Sequence, residues 1–480
     1  MSIDQRIEGL FQPVAEFVSS AVFYSVPLEG GLEVRLILVW LAAAAVFFTV
    51  YLGFMNFRYF GHAVGLLFAK PSKSLTKKHG QISNFEALTA SLSGTVGLGN
   101  IAGVAVAISV GGPGAMLWMI IMGFLSMSTK FAEVMLGVKY RVHPDPENPE
   151  KISGGPMYYL REAFEARGFP YLGPLLAGTF AVACMCGAIG GGNMFQANQA
   201  YQQVLNVTGG EAGPLGGQGW LFGLGLSFLV GIVIIGGIKS IASVAAKLVP
   251  LMGGIYLLAG LVVIAMHASN IPEAMTAVFK GAFSMQAGFG GLLGGLLVGV
   301  QRAAFSNEAG LGSAPIVHCA ARTNSAVSQG LVGMLGPFVD TVVICTVTAL
   351  VIVITGVYTE TDGLGGVELT SRAFESGISW FPYILALTVF LFAYSTLITW
   401  SYCGIKAATY LFGENKTVEM AFNLLFCGFV VIGASVELSS LIEFSDAMIL
   451  AMAWPNIIGL YVLAPEIRKD LKAYLKKLKI

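Results

Sequence analysis

The chain has 480 residues, of which 55% are hydrophobic and only 11% are charged, and its 27 basic residues balance its 27 acidic residues. A soluble domain carries about 25% charged residues, so this composition excludes a water-soluble protein and indicates one that crosses a membrane several times. A net charge of zero indicates no nucleic-acid partner. The six cysteines lie in apolar stretches without metal-ligand spacing, which is typical of small buried side chains.

The N-terminus, MSIDQRIEGLFQPVAEF, has acidic residues where a signal peptide needs a basic region, so we expect no cleavable signal. A membrane-spanning helix needs about 20 mostly apolar residues. Stretches of this kind begin near residues 34, 86, 114, 171, 219, 241, 285, 326, 380, 417 and 442, which makes eleven. The segment 171–206 is too long for one perpendicular span, and we expect it to tilt or to extend into solvent.

Lysine and arginine residues predict the orientation of these spans, because they concentrate in cytoplasmic loops. If the N-terminus lies outside, the outer side keeps only four of the 27 basic residues. These four are Arg6, Arg35, Lys280 and Arg372. We therefore place the N-terminus outside and the C-terminus in the cytoplasm of an inner or plasma membrane. The basic tail is expected to lie against lipid headgroups.

The tripeptide Gly-Leu-Gly occurs with polar neighbours in two of the apolar segments. The first copy lies at 97–99 in SGTVGLGNIAG, and the second lies at 310–312 in AFSNEAGLGSAP. Glycine weakens a helix by about 1 kcal/mol relative to alanine, so we predict that both helices are broken at these points. Interrupted helices at corresponding positions of two halves are typical of a transport site at the middle of the bilayer.

Close helix packing is the other explanation for glycines in membrane helices. It suits the glycine pairs at 290–291 and 294–295, which have only apolar neighbours. The two Gly-Leu-Gly copies differ because polar side chains accompany them, and a merely packed helix does not need such groups at membrane depth. These polar residues are Ser93, Thr95, Asn100, Ser306, Asn307 and Glu308.

The two copies are five spans apart, so their helices enter the membrane from opposite sides. We predict an all-α polytopic fold with about eleven transmembrane helices, in which helices 2–6 and 7–11 form inverted halves and the first helix is an addition. The predicted divisions are 1–80 for the periplasmic N-terminus, first helix and basic loop, 81–268 and 269–464 for the two halves, and 465–480 for the basic cytoplasmic tail.

Six stretches between the second and ninth spans carry a distinctive pattern. They are GTVGLGNIAGVA (94–105), GGPGAMLWM (111–119), SGGPMYYL (153–160), GGGNMFQANQ (190–199), FSNEAGLGSAPI (305–316) and YSTLITWSY (394–402). In these stretches the chain resembles the alanine or glycine:cation symporter family of amino-acid carriers, although Ile120 stands where that family usually has tryptophan. The resemblance implies the five-plus-five fold of leucine-transporter-like proteins, sodium as the coupling ion and a small neutral amino acid as the substrate.

The first interruption is the predicted site for the substrate carboxylate. Unwinding between Thr95 and Asn100 would expose backbone N–H groups and the positive end of the following half-helix, and such a helix start binds anions readily. Gly97 and Gly99 would keep side chains out of the way. At the second interruption, Phe305 is expected to form a wall of the pocket.

Two further segments contribute candidate substrate contacts. An amide inside the membrane must face the interior of the bundle, so Asn193 and Gln196 are candidates, and an interhelical hydrogen bond is the alternative for Gln196. Trp400 lies four residues after Thr396, on the same helix face. We expect both to line the pocket and Trp400 to limit the size of the substrate side chain; an anchor in the membrane interface is the alternative for Trp400.

The resemblance also implies which groups bind the sodium ion. The implied ligands are the carbonyls of Ser93, Val96 and Phe392 and the hydroxyls of Ser395 and Thr396. The alternative for the two hydroxyls is a hydrogen bond to the carbonyl one turn back in their own helix. No organic cofactor is indicated.

Charged residues inside membrane spans should pair or meet water. Those in this chain are Lys130, Glu133, Arg302, Glu308, Asp340 and Lys406. Lys130 and Glu133 are close enough in one helix for a local pair. Glu308, with Arg302 six residues earlier, is interpreted as either a gate or a structural partner, and no role is predicted for Asp340.

We therefore expect a sodium-coupled symporter that imports alanine or glycine by alternating access, with the amino acid, Na⁺ and membrane lipid as partners and a monomer as a sufficient unit. Proton coupling is the alternative, because of Glu308 and Asp340. An uncoupled channel would need rings of like residues along a pore, which the sequence lacks. The sequence also lacks the common motifs of enzymes.

Overall fold

The structure, a computed structural model, describes residues 3–27, 33–69, 80–144, 151–283, 289–359 and 365–478. Up to residue 234 its helices are α1 (Ile3–Val22), α2 (Leu36–Tyr51), α3 (Met55–Arg58), α4 (Phe60–Leu67), α5 (Asn84–Thr95), α6 (Ala102–Gly111), α7 (Gly114–Lys139), α8 (Pro156–Glu165), α9 (Leu172–Ile189), α10 (Phe195–Val207) and α11 (Gly219–Ile234). Four of the lysines predicted for the first cytoplasmic loop, at 70–78, lie outside the described residues.

The remaining helices are α12 (Gly237–Met266), α13 (Ile271–Phe283), α14 (Phe289–Asn307), α15 (Ala314–His318), α16 (Ala326–Gly333), α17 (Leu335–Pro337), α18 (Thr346–Thr355), α19 (Val367–Gly377), α20 (Phe381–Phe412), α21 (Lys416–Ser435), α22 (Leu438–Leu450) and α23 (Ala453–Leu478). Strands β1 (Ser25–Pro27) and β2 (Glu33–Arg35) pair in an antiparallel hairpin. Within the described ranges, regular structure is otherwise helical.

The structure is that of a multi-pass membrane protein. Seven described helical stretches are long and apolar enough to cross a membrane, and they are Gly114–Lys139, Leu172–Val207, Gly237–Met266, Ala326–Thr355, Phe381–Phe412, Lys416–Ser435 and Leu438–Leu478. Shorter apolar helices are α2, α6 and α11. The eleven starting points predicted from the sequence all fall within about four residues of the start of a described helix.

The Gly-Leu-Gly tripeptides at 97–99 and 310–312 lie in non-helical segments. Helix α5 ends at Thr95 and α6 begins at Ala102, and α14 ends at Asn307 and α15 begins at Ala314. In the second segment Glu308 has φ of 55°, and the glycine at 310 has φ of 91°, a region that favours glycine. The chain thus leaves the helix where the sequence carries polar residues beside glycine.

Two wide π-helical turns interrupt otherwise continuous helices. One spans Gly190–Met194 between α9 and α10, and the other spans Phe338–Cys345 between α17 and α18. Such turns shift the following side chains around the helix and are frequent at functional sites. Here the first turn precedes Gln196 and Asn198, the second contains Asp340, and all three side chains are buried. The sequence analysis did not predict either turn.

Helix α5 begins with a cap that the sequence specifies locally. The Ser83 hydroxyl accepts a hydrogen bond from the Glu86 backbone N–H at 3.2 Å, and the Glu86 carboxylate accepts one from the Ser83 N–H at 2.7 Å. This reciprocal arrangement satisfies two of the N–H groups left unpaired at a helix start. It sets the point from which α5 runs to the first interruption.

Candidate functional site

Side chains take the place of helical hydrogen bonds at the first interruption. The N–H of Gly97 donates to the Asn100 side-chain oxygen at 3.0 Å, and the N–H of Leu98 donates to Gln196 Oε1 at 2.9 Å. The Asn100 carbonyl accepts from the Thr348 hydroxyl at 2.8 Å. Buried backbone groups need such partners, so residues of α10 and α18 hold the interruption open.

Asn100 connects the two interruptions. Its side-chain nitrogen lies 3.0 Å from the Ser306 hydroxyl, at the end of α14, and 3.2 Å from the Asp340 carbonyl. The side-chain oxygen of Asn100 accepts a hydrogen bond from the Gly97 N–H, so both polar atoms of this amide have hydrogen-bond partners. Asn100 is fully buried, and its loss would leave several polar groups without partners.

The structure places Asp340, for which the sequence predicted no role, beside the second interruption. One oxygen of its carboxylate accepts hydrogen bonds from Ser306 at 2.5 Å and from Thr341 at 2.9 Å. The other oxygen, Oδ2, is buried and has no hydrogen-bond partner among the described residues. A fully buried carboxylate with one free oxygen is a candidate for binding a proton or a cation.

Four of the five residues predicted to bind sodium lie together. The Ser93 carbonyl accepts from the Thr396 hydroxyl at 3.0 Å and from the Ser395 hydroxyl at 3.4 Å. The Ser395 hydroxyl also lies 3.0 Å from the Phe392 carbonyl one turn back, which is the local hydrogen bond named as the alternative. Val96 follows directly after α5 and begins the non-helical segment.

Thr399 belongs to the same group of oxygens and was missed by the sequence analysis. Its hydroxyl donates to the Ser93 hydroxyl at 3.0 Å, and that hydroxyl donates to the Ser395 carbonyl at 2.7 Å. The signal was present in the sequence, because Thr399 follows Ser395 by four residues and therefore lies on the same helix face.

Trp400 and Glu308 meet at the second interruption. The indole N–H of Trp400 donates to Glu308 Oε1 at 3.0 Å, and the other oxygen of this carboxylate accepts from the Ser313 hydroxyl. Trp400 is only 1% exposed, which is incompatible with an anchor in the membrane interface. Glu308, Trp400 and Ser313 border a cavity of about 10 Å³.

Close approach explains why glycine stands opposite two of the aromatic rings. A Cβ atom at Gly192 would lie 2.2 Å from Cγ of Trp400, and one at Gly99 would lie 3.2 Å from the ring of Phe305. The Phe305 ring also packs edge-to-face on Phe195, with centroids 5.3 Å apart. Phe305 and Trp400 thus form two walls around the interruptions.

The structure does not bring every predicted residue to this site. The Asn193 side chain donates to the Phe426 carbonyl of α21 at 2.7 Å, which is an interhelical hydrogen bond. Arg302 forms a buried ion pair with Asp446 of α22, so it is not the partner of Glu308. Asp446 was not predicted, because no local pattern connects it with a residue 144 positions away.

Glu133 contacts the second interruption rather than pairing locally. Its carboxylate accepts from the Gly312 N–H at 2.9 Å and from the Asn456 side chain at 2.6 Å. The ion pairs of the described residues do not include one between Lys130 and Glu133, so the predicted local pair is not formed. Lys406, also predicted to need a partner, donates to the Ser153 hydroxyl at 2.8 Å.

Interrupted apolar helices whose buried polar residues meet at one point define a multi-pass membrane transporter. The profile of the sodium:alanine symporter family matches residues 24–480, and the chain belongs to that family. It is therefore a cation-coupled amino-acid symporter and not an enzyme. This confirms the resemblance seen in the sequence.

The chain is also similar to individual proteins. "Sodium/alanine symporter AgcS" of Methanococcus maripaludis is 40% identical over 91% of this chain and 93% of its own length. "Putative sodium/proton-dependent alanine carrier protein YrbD" of Bacillus subtilis is 32% identical over 96% of this chain and 92% of its own length. The solved structure of MhsT in complex with L-phenylalanine is 14% identical, with a TM-score of 0.49 over 82% of this chain and 99% of that chain.

Proposed function

We propose that this protein is a sodium-coupled symporter that imports a small neutral amino acid, alanine or glycine, by alternating access. The observation that carries the proposal is the Asn100 side chain, which connects the two interruptions while a group of hydroxyl and carbonyl oxygens lies beside the first. The family assignment and the name of the 40% identical relative support alanine and sodium as substrates.

The substrate carboxylate binds, in this proposal, to the backbone N–H groups of Gly97 and Leu98. The Leu98 N–H already donates a hydrogen bond to the Gln196 side chain. When the substrate binds, this hydrogen bond would break, and the Gln196 side chain would turn toward the substrate. Thr396 borders the same place, since a Cβ atom at Gly97 would lie 2.5 Å from its hydroxyl, and the Thr95 carbonyl lies 2.9 Å from the Gly97 nitrogen. Phe305 and Trp400 would be the walls that limit the length of the substrate side chain.

The sodium ion binds, in this proposal, between α5 and α20, to oxygens of Ser93, Val96, Phe392, Ser395 and Thr396. The donor set fits a hard cation, because it consists of neutral oxygens only. Two hydroxyls already converge on the Ser93 carbonyl, so little rearrangement is needed to replace their hydrogen bonds with ion contacts.

Replacing Thr396 with valine should weaken sodium binding, because valine has nearly the same shape but no oxygen ligand. We expect the sodium concentration for half-maximal alanine uptake to rise about tenfold, which corresponds to about 1.4 kcal/mol. Thr409→Val on the same helix is the control, since the Thr409 hydroxyl bonds only the nearby Lys406 carbonyl. Equal sodium dependence in both variants would remove Thr396 from the ion site.

Uptake of labelled alanine into proteoliposomes, with and without an inward sodium gradient, tests the proposed function directly. Gradient-driven accumulation above equilibrium is expected only with sodium. Equal uptake with and without the sodium gradient would contradict sodium coupling. If unlabelled glycine did not compete with labelled alanine, the proposed pocket for small substrates would be contradicted.

Proton coupling is the second candidate, because Glu308 and Asp340 are buried carboxyl groups at the second interruption. One relative is named as a sodium/proton-dependent carrier. The variant Glu308→Gln keeps an acceptor for the Trp400 N–H but cannot exchange a proton. If protons are carried, the variant should lose the pH dependence of uptake; if Glu308 is a gate, it should keep the pH dependence and change only the rate.

We also propose that the second to sixth and the seventh to eleventh of the predicted membrane spans form two inverted halves, at 81–268 and 269–464. The N-terminus lies outside in this arrangement. Two correspondences support this arrangement. Each half starts with an interrupted helix, and each has a short helix between its second and third spans, α8 in one half and α19 in the other. Arg302, paired with Asp446, and Glu308, paired with Trp400, are the proposed gate residues.

A further inference from the structure

Helix α1 presents three different faces. Toward the protein it carries Phe11 and Ala15, which are buried, and the Phe11 ring packs on Phe444 of α22 with centroids 4.9 Å apart. A second face is apolar and exposed, and its residues are Ile3 (50% exposed), Leu10 (78%), Val14 (51%) and Phe17 (72%). At about 100° per residue, these four side chains fall within an arc of about 60°.

The third face of α1 is polar and points away from the apolar one. Gln5, Gln12 and Glu16 are all exposed, and their mean direction lies about 150° from that of the four apolar residues. Helix α1 therefore packs on the protein through its buried face and has an apolar exposed flank on one side and a polar exposed flank on the other. This division is typical of a helix that lies in the boundary between lipid and water.

Two carboxylates of α1 contact the starts of α11 and α22. Asp4 accepts hydrogen bonds from the N–H groups of Gly219 at 2.8 Å and Trp220 at 3.2 Å, at the start of α11. Glu8 accepts from the N–H of Glu437 at 2.8 Å, at the start of α22. Helix starts leave N–H groups unpaired and favour negative charge, so one surface helix caps two others.

We propose that α1 is an interfacial helix, docked in the surface of the lipid bilayer on the side of the N-terminus through Ile3, Leu10, Val14 and Phe17. The position of α11 argues for lipid as the occupant. This helix starts at the residues that Asp4 caps, and its Leu221 and Leu224 are 50% and 49% exposed. Exposed leucines on an apolar helix of a membrane protein face lipid, so we infer that the apolar flank of α1 meets the same lipid.

Spin labels on the two exposed faces of α1 test this proposal. Cysteine is introduced at Leu10 or Val14 on the apolar face, and at Gln12 or Glu16 on the polar face as matched controls. The partly exposed Cys186 and Cys427 are replaced by serine in every variant. Power-saturation electron paramagnetic resonance in proteoliposomes then compares collisions with oxygen, which is enriched in lipid, and with a water-soluble nickel complex.

We expect the ratio of oxygen to nickel accessibility to be several-fold higher at 10 and 14 than at 12 and 16. Equal ratios at all four positions would overturn the proposal. So would line broadening at 10 that disappears on dilution with unlabelled protein, because a second copy of the chain would then cover the apolar face. These readings depend on neither sodium nor alanine, so they stand apart from the outcome of the transport assays.

The capping carboxylates give a second measurement on the same protein. In a variant carrying both Asp4→Asn and Glu8→Gln, the label at Gln12 should become more mobile, because α1 loses two charge-assisted contacts. Glu16→Gln is the matched control, since the hydrogen bond described for this carboxylate is to Gln12 within α1 itself. Unchanged mobility in the double variant would show that lipid alone, without the caps, holds the helix.

Discussion

Breaking the ion pair between Arg302 and Asp446 should destabilise the protein more than any surface substitution. The two side chains are 4% and 1% exposed, so removing either one leaves a buried charge without its partner. We expect Arg302→Met and Asp446→Leu to cost about 3–5 kcal/mol each. The thermal unfolding midpoint of purified protein, followed by tryptophan fluorescence, measures the loss.

The double variant Arg302→Met/Asp446→Leu distinguishes two contributions to the free energy of unfolding. One is the destabilisation caused by a buried unpaired charge, and the other is the stabilisation that the ion pair itself provides. Because two apolar side chains of similar size need no partner, the double variant should recover most of the stability lost in either single one. Glu375→Gln is the surface control, since its pair with Arg372 is 42% and 65% exposed and should contribute about 1 kcal/mol or less. A double variant less stable than both singles would contradict this account.

Transport should be lost when Gly97 is replaced by alanine, while the protein remains folded. The added Cβ atom would lie 2.5 Å from the Thr396 hydroxyl and 2.9 Å from Gln196 Oε1. These are the side chains that border the proposed ion and substrate positions, so the methyl group displaces them. We expect initial uptake of labelled alanine in proteoliposomes to fall at least about a hundredfold, equivalent to about 2.7 kcal/mol.

Gly103→Ala is the matched control for this substitution. Gly103 lies six residues further along, inside α6, and the nearest atom to an added Cβ is the Leu98 carbonyl oxygen at 3.9 Å. Alanine also favours helix by about 1 kcal/mol relative to glycine. This variant should transport at the normal rate, and similar losses in both variants would show that Gly97 has no special place in the site.

The segments 96–101 and 308–313, where local signals predicted broken helices, are non-helical in the structure. Gly97 weakens the helix, and the polar side chain of Asn100 is unfavourable in lipid. In the structure α5 ends just before this segment, with Val96 as the first non-helical residue. The spacing of Thr396 and Trp400 likewise placed both on the inner face of α20, where both are buried. Patterns of this kind act within one or two helical turns, so a single sequence reveals them.

Contacts between distant segments could not be predicted in the same way. The pairing of Arg302 with Asp446, and the approach of Glu133 to Gly312, depend on how whole helices pack. The sequence predicted that Lys130 and Glu133 pair with each other, because each is the nearest opposite charge. In the structure the Glu133 carboxylate instead accepts a hydrogen bond from the backbone of the second interruption. The π-helical turn that brings Asp340 inward likewise has no recognisable local pattern.

The 32 residues of α20 form one uninterrupted helix that carries both Thr396 and Trp400. Four residues of helix correspond to about 6 Å, so the residue proposed to bind the cation and the residue proposed to face the solute keep a constant separation as long as α20 stays straight. A tilt of α20 would move both residues together. In the proposed mechanism this joint movement opposes slippage, the passage of one species without the other.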